Sequence, residues 1–303
     1  MKQNTPLRIR NFPSAEEEMR SAQPNERYNG PGSAFQMAFT DTEFLLREEL
    51  RPVRLQLELL KPELIQQEQG VESTVVVFGS ARFKSRSEAE AALEQARAAG
   101  DTEAIRKAEV MLRNAHWYEE ARRFSQLVTE EAEVLGEPVI IATGGGPGVM
   151  EAGNRGAHEA GGRSMGMSIV LPFEEAPNPY ITPELCFRFH YFAIRKMHFL
   201  MRAVALVSFP GGMGTLDELF EVLTLTQTHK IRRRPIVLVG RDFWERLINF
   251  EVLVEHGVIH PEDTSLFHYA DTAEEAWELI KAAYRTGDPA RLAPQTAANG
   301  FNG

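Results

Sequence analysis

The sequence predicts an α/β fold: a doubly wound parallel sheet with helices on both faces and a helical extension at the N-terminus. Three observations carry this. Four short apolar runs rich in β-branched residues, at 74–78 (TVVVF), 139–142 (VIIA), 204–209 (VALVSF) and 236–239 (IVLV), read as strands buried on both faces. Helical stretches separate them, and alternating β and α units make a parallel sheet. Two glycine-rich loops directly follow two of the strands, and each opens a helix.

In chain order, residues 1–33 are polar and rich in Pro, Asn and Glu, and are expected to be disordered apart from a short helix over Ser14–Ser21. Residues 34–70 read as a helical extension, with Phe44, Leu45, Leu55, Leu57, Leu59, Leu60, Leu64 and Ile65 at mixed helical spacing. Pro52 and Pro62 are expected to break it into two or three pieces. The α/β domain is assigned to 71–286. After its first strand, 84–115 is rich in Ala, Glu and Arg and reads as an inserted pair of exposed helices broken near Gly100-Asp101. Helices are expected at 116–135, 148–161, 192–202, 215–229 and 242–256, with weaker strands at Ser164–Val170 and Leu185–Phe189. Residues 287–303 read as a flexible tail.

The 303 residues allow one large α/β domain or two small ones and are enough to bury a sizeable core. Acids outnumber bases 43 to 33, for a formal charge of −10. That balance disfavours nonspecific binding to nucleic acid or an anionic membrane, both of which need a cationic footprint. The single cysteine, Cys186, forms no intrachain disulfide and fits a reducing compartment. The first residues lack the apolar run of a signal peptide, and no stretch approaches the ~18 apolar residues of a membrane span. The expectation is a soluble, cytoplasmic protein.

The first glycine loop, Thr143-Gly-Gly-Gly-Pro-Gly148, lies between VIIA and the helix VMEAGNRGAHEA; the second, Pro210-Gly-Gly-Met-Gly-Thr215, lies between VALVSF and LDELFEVLTLTQ. Glycines let the backbone turn tightly and approach a ligand, and the following helix offers free N–H groups and a positive dipole end. Strand, glycine loop and helix together make an anion site, usually for phosphate. Neither loop is a Walker or dinucleotide signature. One such loop alone would be an ordinary tight turn; two at strand ends favour a phosphate pocket.

Glu218 admits two readings. With Thr215 three residues earlier it forms a Thr-x-x-Glu capping box, worth about 1 kcal/mol to the helix. Alternatively it stands at the mouth of the loop as a catalytic carboxylate. Glu221 shares its face, and Asp217 points elsewhere. Arg195, Lys196 and Arg202 are basic residues in otherwise apolar sequence, either snorkelling along it or facing a phosphate. Met197, Met201 and Phe199 read as core, Cys186 as a small core residue, and His190 and His198 as packed or backbone-bonded.

These motifs resemble the LOG family, the cytokinin-activating phosphoribohydrolases whose neighbours carry the label "lysine decarboxylase-like". PGGMGTLDE at 210–218 matches the family's PGGxGTxxE motif. The likeness extends over Phe78–Arg82 (FGSAR), Thr143–Ala157 (TGGGPGVMEAGNRGA), Phe192–Met197 (FAIRKM), Gln227 and the strand at Pro235, covering roughly 72–285. It implies a Rossmann-like fold and hydrolysis of the N-glycosidic bond of nucleoside 5′-monophosphates, AMP or cytokinin-type nucleotides, to free base and ribose 5-phosphate. The family's catalytic arginine falls on Arg195 and its glutamate on Glu218. Its phosphate-binding positions fall on Gly144, Gly145, Gly146, Gly211, Gly212, Met213, Gly214 and Thr215. Gly79, Ser80, Thr143, Gly148, Glu151, Lys196, Asp217 and Glu221 complete the expected pocket. Family members are usually dimers or larger, so a homodimer or higher homo-oligomer is expected. The N-terminal extension and the 84–115 insertion resemble the longer bacterial forms.

The decarboxylase label gains no support, since no pyridoxal-binding lysine context is present and two phosphate loops suit free lysine poorly. The main alternative is a non-catalytic carrier of a phosphorylated heterocycle such as molybdenum cofactor. A nicotinamide-dependent oxidoreductase would need an acid about 20 residues past the first loop, where the sequence is GGRSMGMSIV. No cofactor or metal is expected: the eight histidines are scattered, and Gly257 and Pro261 keep His256 and His260 off one helical face.

Overall fold

A computed structural model describes residues 12–22, 27–28, 33–172 and 176–285. The remaining parts of the expected disordered N-terminus and the whole 287–303 tail lie outside the described residues. The chain divides into two compact units, 1–54 and 55–303. The first holds α1 (Ala15–Ser21) and α2 (Thr42–Leu45). Ser14 and Glu17 cap α1 reciprocally, and the Asp41 carboxylate accepts the Phe44 N–H of α2. The expected short helix at Ser14–Ser21 is α1 with its cap.

Helix α3 (Arg51–Glu68) crosses the division unbroken, contrary to the expectation of breaks at Pro52 and Pro62. Pro52 lies in the first turn, where its missing N–H would have no intrahelical partner anyway. Pro62 is interior and buried, so the Glu58 carbonyl lacks its usual partner. A histidine ring from another helix meets that stretch of backbone: His198 Nε2 lies 3.1 Å from the carbonyl of Leu59, the next residue.

The second unit continues through β1 (Ser73–Phe78), α4 (Arg86–Ala99), α5 (Thr102–Glu130), β2 (Val139–Thr143), α6 (Val149–Glu159), β3 (Ser164–Ile169) and β4 (Cys186–Phe189). It closes with α7 (Phe192–Met201), β5 (Ala203–Ser208), α8 (Met213–Gln227), β6 (Ile236–Val239), α9 (Arg241–Leu247), α10 (Phe250–Glu255), β7 (His268–Ala270) and α11 (Ala273–Arg285). The strands form one parallel sheet in the order β4-β3-β2-β1-β5-β6-β7. The strand order reverses between β1 and β5, so the crevice for a ligand opens there, at the carboxyl ends.

Alternation along the strands sorts the core into two layers. Val75 and Val77 of β1 face α5, α6 and α11, packing among Phe124, Val149, Ala152, Trp277 and Ile280. Val76 and Phe78 face the other side, among Phe199 of α7, Leu219 and Val222 of α8, and Trp244 of α9. Each large apolar side chain so buried contributes about 1.5–3 kcal/mol relative to exposure. Among the described residues no helix is long and apolar enough to cross a membrane.

Several expectations need correction. The inserted helices do break at Gly100, a left-handed C-cap, and Asp101, an N-cap. The second of them is continuous with the crossover helix, so α5 is a single helix of 29 residues rather than two. The helix expected at 242–256 is divided at Ile248 and Asn249, where Asn249 caps α10. Strand β7 was not anticipated. Cys186 is exposed, because β4 is an edge strand and turns it outward. Met197 and Met201 are about half exposed on the outer face of α7, while Phe199 is buried as expected.

The tightest helix contact is between α5 and α6 at Gly156, where any Cβ would overlap the Arg122 carbonyl. Replacing Gly156→Ala is expected to cost about 1–3 kcal/mol. A thermal melt should show the midpoint lowered by several degrees; an unchanged midpoint would contradict this packing.

Candidate active site

Because all the strands are parallel, the loops after β1, β2 and β5 emerge at one edge of the sheet. The loop after β1 ties the other two together. The Ser80 N–H donates to the Pro210 carbonyl at 3.0 Å, and the Ser80 carbonyl accepts the Val149 N–H at 3.0 Å. Gly79 must lack a side chain because the Val149 side chain packs directly on it. Gly148 has φ +70° with its α-carbon against the Ser80 and Ala81 backbone, a place only glycine fits.

The first glycine loop is held by buried amides. Thr143 Oγ1 donates to Asn154 Oδ1 at 2.7 Å and accepts the Gly145 N–H at 3.0 Å. Asn178 Nδ2 donates to the Gly145 and Gly146 carbonyls at 3.1 and 3.0 Å and to Asn154 Oδ1 at 2.9 Å. Asn154 Nδ2 donates to Ser164 Oγ and the Met165 carbonyl. The Met150 thioether packs against Gly144 and Gly146. Asn154 and Asn178 went unremarked in the sequence. The one available signal was Asn154, a poor helix former in the middle of a helix.

The second loop is bare by comparison. Gly212 is the N-cap of α8, with no side chain capping that end. A Cβ at Gly212 or Gly214 would meet nothing within 4 Å, and Met213 is exposed. The backbone here is open to a ligand. The capping-box reading of Glu218 fails, because α8 starts at Met213 rather than at Thr215. Thr215 packs against Gly211 instead, and Glu218 lies well inside the helix.

Helices α7 and α8 flank β5, and their charged residues meet. Arg195 Nη2 is 3.7 Å from Glu218 Oε1, and Lys196 Nζ is 3.9 Å from Glu218 Oε2. Lys196 Nζ also reaches Asp217 at 2.8 Å and Glu221 at 2.7 Å. Asp217, expected to point elsewhere, is therefore drawn into the cluster by the length of the lysine side chain. Glu218 is only 7% exposed. Burial pushes its carboxyl up to about 7, with Asp217 and Glu221 adding to the rise and the Lys196 and Arg195 charges opposing it. Burial would lower Lys196, but bonds to Asp217 and Glu221 more than offset it and hold its ammonium above the usual lysine range.

The Arg195 guanidinium lies between the Phe192 and Phe199 rings, 5.1 and 5.5 Å from their centroids. Its Nη1 stands beside Gly144, 3.8 Å from where a Cβ there would be. Its Nε is buried with no hydrogen-bond partner among the described residues. A buried donor of this kind, next to a glycine loop, suits an incoming anion.

The structure thus gathers Arg195, Lys196, Asp217, Glu218 and Glu221 between two glycine loops. Glu151 has a different neighbour, accepting a 2.7 Å hydrogen bond from the Tyr118 hydroxyl of α5. His198 bonds the α3 backbone, and Arg202 pairs with Glu63 at 2.6 Å, so neither stands in the cluster. Among the described residues no group of three His, Cys, Asp or Glu side chains could hold a metal ion.

Residues 150–280 match a family model described as "Possible lysine decarboxylase". The chain is 29% identical over 154 residues to the "Probable cytokinin riboside 5′-monophosphate phosphoribohydrolase LOG4" of Oryza sativa subsp. japonica, covering 50% of this chain and 63% of that protein. It is 31% identical over 140 residues to the cytokinin riboside 5′-monophosphate phosphoribohydrolase LOG7 of Arabidopsis thaliana, covering 45% and 63%. The chain thus spans less than two thirds of either relative's length. Among solved structures, the molybdenum cofactor binding protein from Rippkaea orientalis aligns at a TM-score of 0.44 and 18% identity, over 70% of this chain and 96% of that one. Over 150–280 the chain is thus similar to that family model, and over about half of its length it is similar to curated phosphoribohydrolases of the LOG family.

Proposed function

We propose that the protein hydrolyses the N-glycosidic bond of nucleoside 5′-monophosphates, releasing the base and ribose 5-phosphate. The observation that carries this reading is the buried Glu218 carboxylate beside Arg195 and Lys196, between two loops suited to phosphate. The cations explain how a carboxylate can stand next to a bound phosphate without being driven off. The named activity of the curated relatives supports the same reaction.

In this mechanism the 5′-phosphate rests on Gly144–Gly146 and on the open N-terminus of α8 at Gly212, Met213, Gly214 and Thr215. Gly79, Ser80, Thr143 and Gly148 frame those loops, and Glu151 borders the first. The unpaired Nε of Arg195 turns to the phosphate. As the bond from C1′ to the base nitrogen breaks, positive charge grows on the ribosyl centre, as in other glycoside cleavages. Glu218, as carboxylate, faces that charge and takes a proton from the attacking water. The hydroxyl adds to C1′, and the proton Glu218 took passes to the departing base nitrogen, which balances the reaction and restores the carboxylate. Lys196, anchored by Asp217 and Glu221, keeps Glu218 partly ionised at neutral pH.

The exposed apolar side chains Leu57, Leu60 and Leu64 of α3, and separately Met197 and Met201 of α7, support a homo-oligomer. A cytoplasmic location is proposed on composition alone.

Glu218→Gln should lower base release from AMP by at least about 100-fold, and Arg195→Ala by about 100- to 1,000-fold. Free base and ribose 5-phosphate are the readouts across a panel of nucleoside monophosphates. Turnover by Glu218→Gln near the wild-type rate would refute the assignment. Tight binding of a phosphorylated heterocycle without base release would favour a carrier.

The pH dependence follows from the raised carboxyl. Activity should climb through an apparent pKa near 7, as Glu218 ionises. Stability should move oppositely. An acid whose pKa rises on folding contributes fully below its unfolded value of 4.5, and loses that contribution as pH climbs through about 7. Glu218→Gln should therefore melt higher than wild type at pH 8, by about 1–3 kcal/mol of stability, and match it near pH 5. Equal melting of the two at pH 8 would contradict a raised carboxyl.

A further inference from the structure

Arg195 and Lys196 stand on the second turn of α7, and a helix outside the sheet holds the turn before them. Tyr191, the N-cap of α7, provides no side-chain cap. Glu58 of α3 does so from 133 residues away: its Oε1 accepts the His190 N–H at 2.5 Å and the Tyr191 N–H at 2.9 Å. A helix start leaves such N–H groups without partners, and a carboxylate there is favoured by the helix dipole. The Tyr191 carbonyl in turn accepts the Arg195 N–H at 3.2 Å. The turn that Glu58 caps is the one that ends on Arg195.

Two further contacts from α3 lock α7 along its length. His198, midway, bonds the Leu59 carbonyl of α3 at 3.1 Å. Arg202, at the C-cap of α7, donates to Glu63 at 2.6 Å and to the Val71 carbonyl at 2.8 Å. Of the three contacts, Glu58 is nearest to Arg195 in the chain. A slip of one residue along a helix turns its side chains by about 100°, which would carry the guanidinium off Glu218.

We propose that Glu58 is a positioning residue: by capping the first turn of α7 it keeps the Arg195 guanidinium and the Lys196 ammonium facing Glu218. The extension that precedes the sheet is then a working part of the site. The activity readout rests on the phosphoribohydrolase reading, whereas binding of inorganic phosphate does not.

The test compares full-length wild type, Glu58→Ala and Glu58→Gln. Glutamine retains an acceptor oxygen, so it can still bond both N–H groups. The expected result for Glu58→Ala is a fall in kcat for AMP of about 10- to 100-fold, KM changed less than kcat, and an activity limb displaced upward in pH. Glu58→Gln should recover most of the kcat. Calorimetric binding of inorganic phosphate should be at least about fivefold weaker in Glu58→Ala and restored in Glu58→Gln. A folded Glu58→Ala with wild-type kcat and pH profile would overturn the proposal, as would equal losses in both variants. If the wild type releases base from no nucleotide, the phosphoribohydrolase reading fails and phosphate decides. Weakening in Ala with recovery in Gln then supports the positioning role, while equal affinity in all three, or none in the wild type, overturns it. Should Glu58→Ala not fold, Glu58→Asp, one methylene too short for the cap, replaces it with the same expected losses.

Discussion

A carboxylate withheld from water beside two cations is the constraint on which the site depends. Burial alone would leave Glu218 protonated and chemically idle; the Arg195 and Lys196 charges alone would leave it a weak base. Opposed, they hold it near neutrality. The balance depends on the separation of α7 and α8, which sets the 3.7 and 3.9 Å distances from Arg195 and Lys196 to Glu218. The fold arranges this economically. The two helices flank one strand in sequence, with Arg202 the sole residue between α7 and β5. Both pack the same face of the sheet, through Phe199 on one side and Leu219 and Val222 on the other.

The two glycine loops solve one problem by different means. The first is pinned by Asn178, whose amide occupies the Gly145 and Gly146 carbonyls, and by Asn154, which accepts from Asn178 and from Thr143. The second has no such network and relies on the start of α8. A rigid cradle thus faces an open one across the end of β1, where Ser80 bonds to the backbone beside each.

Much of the fold was legible because buried parallel strands must be continuously apolar. The four strongest runs all became strands, β1, β2, β5 and β6. Strand β7 escaped notice because His268–Ala270 is three residues long and lies at a sheet edge, where burial demands little. Pro62 misled because a proline's cost to a helix depends on its tertiary surroundings, and His198, which bonds the backbone beside the freed carbonyl, is 136 positions further along the chain. The family resemblance gave both Arg195 and Glu218 a catalytic role, and each was legible as a charge near a glycine loop. The links from Lys196 to Asp217 and Glu221, from Asn178 to the first loop, and from Glu58 to α7 were not. Each joins side chains whose meeting is decided by tertiary packing, which local periodicity does not encode.

The attachment of α3 to α7 also orders events in time. Its partners lie more than 130 residues downstream, so the ribosome releases α3 long before anything exists for it to dock against. These contacts close nearly the same length of chain as the pairing of β1 with β5, so once the sheet forms the cost of that closure is already met. Helix α3 precedes the sheet in the chain, yet its docking site exists only once the sheet has placed α7. A chain whose sheet has formed but whose α3 is still undocked would be compact and nearly complete, yet without the cap that fixes Arg195.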